Sequence, residues 1–378
     1  MIVTFLFWCA LYIYVPTLPT YIKTKTDQLS MVGLVISMYG LFVAFSRLPM
    51  GIFGDLLGRG KPLIVICFLI ASAGAIMMGR GNALFTLAAG RALTGISMGA
   101  WVLLIGTFST LFDFEQTIFA SSMLTFSASL GRLSGTSSTG LLNRIGGYQL
   151  AFYLSAVLGI LAIIIILFAK EEKRPPKIVS LRSIGELFIK KEVLLPTIIS
   201  IFIHHTDMSI TFGFLPIYAQ RMGASDVAIS MLVALNIAAI TSANLLNTFI
   251  MRKKKPDYML PAGAFLMIIG ITILVFSPSV SMLFLGMIFT GFSFGIVYPI
   301  LLGLSIQKID RSRRSTAMGI HQSLYAVGMF TGPWLSGILA DSYGIRSMFI
   351  INAGGYLVLV YLFIYLFYKT NIKQINNS

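Results

Sequence analysis

Acidic residues are scarce in this chain: Asp and Glu together number 13 of 378, against 28 Lys and Arg. Charge of either sign is thin, at 11%, while 57% of the residues are hydrophobic; soluble globular domains carry about 25% charged residues. That ratio excludes a soluble globular protein. It also excludes a disordered one, which needs few hydrophobes and much charge. Only two cysteines occur, Cys9 and Cys67, each inside an apolar run, which provides neither a disulfide framework nor a thiolate metal cluster. No phosphate-binding glycine loop, metal-ligand spacing or nucleophile–base pattern is present, so no cofactor or metal is expected and the chain does not read as an enzyme or an ATP-driven pump. A net charge of +15 raises the question of nucleic acid, which the placement of the basic residues decides.

Long apolar runs are what the chain has in abundance. A membrane-spanning helix needs about 20 mainly apolar residues, and twelve such stretches run near 1–22, 31–53, 62–79, 84–108, 117–142, 148–169, 194–218, 227–250, 258–276, 282–305, 316–339 and 347–368. The one long polar stretch, 170–193, divides the chain into an N-terminal six-helix bundle (1–169), a linker and a C-terminal six-helix bundle (194–378). Lys and Arg concentrate on the cytoplasmic side of membrane proteins. With both termini inside, nineteen of the 28 basic residues fall in inside segments, six fall outside, and Arg47, Arg91 and Arg132 fall within spans. The positive charge therefore orients the chain in a plasma (inner) membrane and requires no nucleic acid. Within the linker, Leu181, Ile184, Leu187 and Phe188 share a helical face, which fits either a short helix on the inner leaflet or a solvated connection.

The two halves repeat. Pro19 and Tyr21 recur as Pro216 and Tyr218, and Gly131, Gly135, Gly140, Gly147 and Phe152 as Gly328, Gly332, Gly337, Gly344 and Phe349, all at an offset of 197. Thr94, Gly95, Ser97 and Gly99 recur as Thr290, Gly291, Ser293 and Gly295 at 196. Matching helices have the same orientation, so the repeat is parallel, and its physical implication is a substrate site near the bilayer midplane between two bundles that rock around it.

Between the second and third spans the chain reads Gly51-Ile-Phe-Gly-Asp55-Leu-Leu-Gly58-Arg59-Gly-Lys61. Asp55 at the end of a span is placed to face the N-terminus of a neighbouring helix, whose dipole favours negative charge by roughly 0.3–1 kcal/mol. This run resembles the signature G-x-x-x-D-x-x-G-R-[KR] loop of the major facilitator superfamily, departing from it where Gly60 displaces the second basic residue. The resemblance covers the whole chain and implies an all-α integral membrane protein of twelve helices in two bundles, acting as a monomer. The equivalent second-half loop is reduced to Met251-Arg-Lys-Lys-Lys255. Arg91, followed by Gly95, resembles the family's R-x-x-x-G motif, which implies a part in proton coupling in drug:proton antiporters; the alternative is an Arg held by carbonyls of a neighbouring span. In the fifth span, Gly131 and Gly135 resemble the exporters' G-x-x-x-G-P-x-x-G-G, but Thr136 and Thr139 interrupt it. The direction of transport stays open on these residues.

Ionisable side chains within spans cost about 2.5–3.5 kcal/mol each and are functional candidates by default. Besides the three arginines they are His204, His205, His321 and Asp207, the one carboxylate deep in a span. Arg47 either snorkels or pairs with Asp55. Asp207, with His204 one turn before it and Arg132, is the expected proton carrier; a fixed polar pair is the alternative. With three arginines and one acid, the cavity is biased toward an anionic or zwitterionic solute, and Tyr14, Trp101, Met208, Phe212, Tyr298 and Tyr325 offer an adaptable wall or ordinary helix packing. The expectation is a secondary transporter of small organic solutes by proton-coupled efflux. Uptake of an anionic or sugar-like solute with protons is the alternative, and a non-transporting receptor with a transporter fold a remote one.

Overall fold

The structure, a computed structural model, describes residues 1–109, 111–112, 116–171, 181–250, 256–310 and 313–376. Helix is the regular structure throughout these residues. In a bilayer every backbone N–H and C=O must be satisfied within the segment, and an apolar run does that as a helix. In chain order the helices are α1 (Ile2–Lys23), α2 (Leu29–Leu57), α3 (Lys61–Arg80), α4 (Leu84–Phe108), α5 (117–145) and α6 (148–168). A short α7 (Leu181–Phe188) follows, then α8 (Lys191–Arg221), α9 (Asp226–Ile250), α10 (Pro256–Val275), α11 (Val280–Gln307), α12 (Arg314–Tyr343) and α13 (Ile345–Asn376). The break between α5 and α6 is the pair Gly146–Gly147, the second at φ 69° and ψ −178°. Ten stretches are long and apolar enough to cross a membrane, with α5 and α6 joined as one. The glycine break divides that stretch, and α12, diluted by Arg314, His321 and Gln322, completes twelve membrane-length helices among the described residues.

Helices α1–α6 and α8–α13 form two six-helix bundles with the same internal packing: α1 lies against α5 as α8 lies against α12, and α2 against α4 as α9 against α11. The bundles meet along two seams, α2 with α12 and α5 with α9. Large apolar side chains such as Phe45, Phe85, Phe168 and Val358 are exposed on the outer surface, where lipid would cover them.

One face of the molecule carries both termini and the linker; the other is here called distal. At the distal face the seams close by one device used twice. Gly140 of α5 sits on the first residues of α9, where a Cβ would collide with Asp226 O and the Val227 backbone. Gly337 of α12 sits on the first residues of α2, where a Cβ would stand 2.6 Å from Leu29 O and 2.8 Å from Ser30 Cα. Both pairs of partners are related by the offset of 197. Side chains bridge the same places. The Leu29 and Ser30 N–H groups donate to the Asp341 carboxylate at 2.7 and 2.8 Å, and Asn143 Nδ2 donates to Asp226 Oδ2 at 2.8 Å and to Thr17 Oγ1 at 2.9 Å. Asp341 lies just past the apolar part of α12. Burial works against its ionisation, but the hydrogen bonds from Ser30 and Leu29 outweigh that and hold its carboxyl below the usual carboxylate range.

The linker departs from both readings of its sequence. Helix α7 packs on the protein itself: Ile184 and Leu187 are buried in a cluster with Val193, Ile309, Ala317 and Ile320. Glu186 on its polar side pairs with Arg313 at 3.0 Å. At the other end of the linker Glu171 accepts the N–H groups of Gly60 at 2.7 Å and Lys61 at 3.1 Å, capping α3. Lys61 Nζ returns the favour by donating to Leu167 O and Ala169 O at 2.6 and 2.8 Å, at the end of α6. The basic residues Lys173, Arg174, Lys177, Arg252, Lys253, Lys254, Lys255 and Arg311 lie outside the described residues, and with them the reduced second-half loop.

Candidate functional site

Two irregular helices frame the centre. Helix α1 tightens into a 3-10 turn at Val15–Thr17, which contains Pro16, and α8 widens into a π-helical turn at Ile210–Phe214. With the offset of 197, residues 13–17 correspond to 210–214, so the two breaks occupy equivalent places in the repeat. A widened turn leaves a carbonyl without its regular partner and re-aims the side chains around it; such turns concentrate at functional sites. Asp207 lies one turn before the π segment and is 3% exposed. It is the one buried acid among the described residues, and it accepts a hydrogen bond from Thr211 Oγ1 at 2.9 Å, within that segment.

A cleft of about 310 Å³ enters from the linker face between the bundles, lined by Gly51, Asp55, Val102, Gly319 and, at its inner end, Arg47 and Gln322. Arg47 corrects its expected pairing. It does not pair with Asp55 but crosses the α2–α12 seam, donating to the Tyr325 hydroxyl and to Gln322 Oε1 at 3.4 Å. Farther in, a small void of about 20 Å³ lies among Tyr12, Tyr39, Arg91, Met208, Phe212 and Met329. Tyr12 meets Phe212 edge-on at 6.1 Å and packs at 5.8 Å on Trp8, the ring beneath Arg132.

The three arginines share one arrangement. Each lies over an aromatic ring: Arg47 5.3 Å from the Tyr325 centroid, Arg91 4.5 Å from Tyr39, and Arg132 4.9 Å from Trp8. Arg91 also donates to the Tyr14 hydroxyl at 3.5 Å and Arg132 to Ser129 Oγ at 3.4 Å. None of the three lies within 4.0 Å of a carboxylate among the described residues, and the Nε of each is buried without a hydrogen-bond partner. The carbonyl alternative for Arg91 is therefore replaced by an aromatic ring and a hydroxyl.

The histidines sit apart from Asp207. His204 Nδ1 donates to Ser200 O at 2.8 Å, and its ring stacks on Tyr325 at 3.9 Å and meets Tyr298 edge-on. His321 Nδ1 bonds Thr197 Oγ1 at 2.8 Å; that hydroxyl is already donated to Val193 O, so Nδ1 carries the proton. His205 turns to Thr331 and Asn352. Of the expected proton-coupling residues, Arg91 borders the small void, Arg132 lies over Trp8 and Asp207 holds Thr211 of the π turn, whereas His204 joins the Arg47–Tyr325 cluster. Trp101 packs edge-on against Trp8 at 5.3 Å, Tyr14 against Phe152, and Phe212 against Tyr12, while Met208 borders the small void.

In the loop after α2, Gly58 takes φ 62° to end the helix. Asp55 and Arg59 are exposed. Asp55 makes no hydrogen bond or ion pair among the described residues, and the first turns of α12, at Thr316 and Gly319, stand across the cleft from it.

A protein-family model matches residues 1–257 and again residues 197–378. The chain belongs to the Major Facilitator Superfamily. Within it, the chain is 24% identical over 364 residues to the multidrug resistance protein MdtG of Escherichia coli, covering 93% of this chain and 89% of that one. It is 25% identical over 179 residues to the multi-drug resistance efflux pump PmrA of Streptococcus pneumoniae, 46% of this chain and 44% of that one. Among solved structures, a bacterial homolog of the human lysosomal transporter Spinster, inward-facing and unoccupied, matches with a TM-score of 0.84 at 15% identity, over 98% of this chain and 96% of that one. The protein is a superfamily transporter for small molecules, and a multi-pass membrane protein.

Proposed function

We propose that this transporter exports small organic solutes in exchange for protons, that 1–169 and 194–378 are its two rocking bodies, and that the linker face is cytoplasmic. The observation that carries the reading is the one-sided cleft: the bundles part toward the linker face as far as Arg47 and Gln322, and glycine contacts shut the distal face. The conformation is then inward-facing, ready to take solute from the cytoplasm. The Asp55 latch is released here, and rocking closes the cleft by bringing the α12 N-terminus to it. Sequence similarity to MdtG and to the efflux pump PmrA supports outward movement. Asp207 serves as the proton carrier. It is buried beside a π turn at the inter-bundle centre and holds one hydroxyl partner.

The test is solute accumulation in inverted and right-side-out vesicles under an imposed pH gradient. Export by proton exchange requires accumulation in inverted vesicles with an acidic lumen. Asp207→Asn should abolish the response to the gradient while leaving equilibrium solute binding in place; a gradient response unchanged by the substitution sinks the coupling role. The surplus of arginine supports the second reading, proton-coupled uptake of an anionic solute, which the same vesicles distinguish by sidedness.

A further inference from the structure

The structure assigns to this transport site an organic anion as substrate: a carboxylate or comparable anionic group on an aromatic or apolar body, held by the arginines of the N-terminal bundle. This rests on the reading of the central site as the solute site. A buried guanidinium is normally matched by a carboxylate, because an unpaired charge away from water is costly. Here Arg47, Arg91 and Arg132, all from the first bundle, have no carboxylate within 4.0 Å among the described residues. Asp207, the one acid at hand, belongs to the other bundle and is engaged with Thr211 of its own helix. Ring faces partly compensate each cation, an interaction of about 0.5–2 kcal/mol, yet the Nε–H of each stays without a partner.

Those N–H groups are what an anion reads. The buried polar atoms without a partner around this centre are Arg47 Nε, Arg91 Nε, Arg132 Nε and Trp8 Nε1. All four are donors. Arg132 lies over Trp8, so two of them share one stack, and Tyr12, 5.8 Å from Trp8, borders the same small void as Arg91. A cationic drug would find no free acceptor in this set, whereas a planar carboxylate can take paired N–H bonds from a guanidinium. Trp8, Trp101 and Tyr12 form a continuous aromatic surface beside these donors, with centroids 5.3 and 5.8 Å apart, which suits an aromatic body. Arg47 stands at the inner end of the cleft and is the first guanidinium that an incoming anion meets. Engaging it requires exchange of its bonds to Tyr325 and Gln322, which would couple solute arrival to the α2–α12 seam.

The experiment compares fluorescein, an anionic dye, with rhodamine 123, a cationic dye of the same ring system, on the full-length protein. Fluorescence anisotropy in detergent reads equilibrium binding, independent of direction and coupling. Fluorescein should bind at least tenfold more tightly than rhodamine 123. Arg91→Gln and Arg132→Gln should each weaken fluorescein tenfold or more while rhodamine 123 changes little, and Arg132→Lys should fall between. A purely structural role for the arginines would lower the melting temperature without changing the anion-to-cation ratio. Equal or tighter binding of rhodamine 123, no binding of fluorescein, or an unchanged ratio in both Gln variants overturns the assignment. If fluorescein binds as expected but accumulates in right-side-out vesicles alone, the substrate class stands and the export reading falls. If rhodamine 123 alone is bound and accumulates in inverted vesicles, export stands and the substrate class falls.

Discussion

At the scale of single residues, the site is an excess of donors around one carboxylate. Position in an apolar run makes Arg47, Arg91, Arg132 and Asp207 legible in the sequence, because charge inside a span is costly. Their partners are not legible. Which ring lies under Arg91, or that Gln322 rather than Asp55 receives Arg47, depends on how helices far apart in sequence rotate against each other. The Glu171 cap on α3 is hidden for the same reason, since 110 residues separate it from Lys61. Glu171→Ala removes an acceptor from the α3 N-terminus, a loss of about 0.5–2 kcal/mol by analogy with other caps, and should lower the melting temperature in detergent with substrate binding retained. Asp341 sets a pH dependence. Its carboxyl is held below the usual carboxylate range in the distal-closed state. Its contribution to closure is therefore complete above its ordinary pKa of about 3.9 and is lost as pH falls through the depressed value. Distal opening, read by the distance between spin labels at Lys25 and Arg221, should be constant from pH 8 to pH 5 and longer in Asp341→Asn at every pH.

At the scale of elements, the repeat is what the sequence displays most clearly. The offset of 197 found in glycines and prolines turns out to relate contacts as well: Gly140 on Asp226 and Gly337 on Leu29 are copies of one joint. Hydropathy places the spans but misses what happens inside them. The tightened turn of α1 and the π turn of α8 carry mostly apolar residues with one threonine each, and Pro16 and Gly213 are the hints at them. The short α7 is amphipathic, as its sequence says, but amphipathicity does not tell whether lipid, water or protein covers the apolar face; Ile184 and Leu187 are covered by α8, the end of α11 and α12. A side chain at either joint would overpack it, at about 1–3 kcal/mol. Gly140→Ala and Gly337→Ala should therefore each shift the population toward the distal-open state by up to a hundredfold, since about 1.4 kcal/mol is tenfold. Spin labels at Lys25 and Arg221, both in distal connections, should report longer distances in each variant.

At the scale of the whole molecule, the scarcity of acid and the surplus of base separate into two roles. Most of the basic residues flank the spans and bear on orientation, while the three inside are those on which the proposed anion site rests. A reporter fused to the C-terminus should be active in the cytoplasm, as the distribution of Lys and Arg requires; activity on the opposite side would invert the assignment of the cleft and, with it, the direction of export.

The linker is fastened at both ends, Glu171 to the first turn of α3 and α7 to the second bundle. Only residues 172–180 are left to span the interval between the bundles on that face. A chain of this length reaches at most about 35 Å when drawn straight. The connection is therefore a covalent ceiling: whatever separates the bundles on that face, Glu171 and the start of α7 can part by no more than this length.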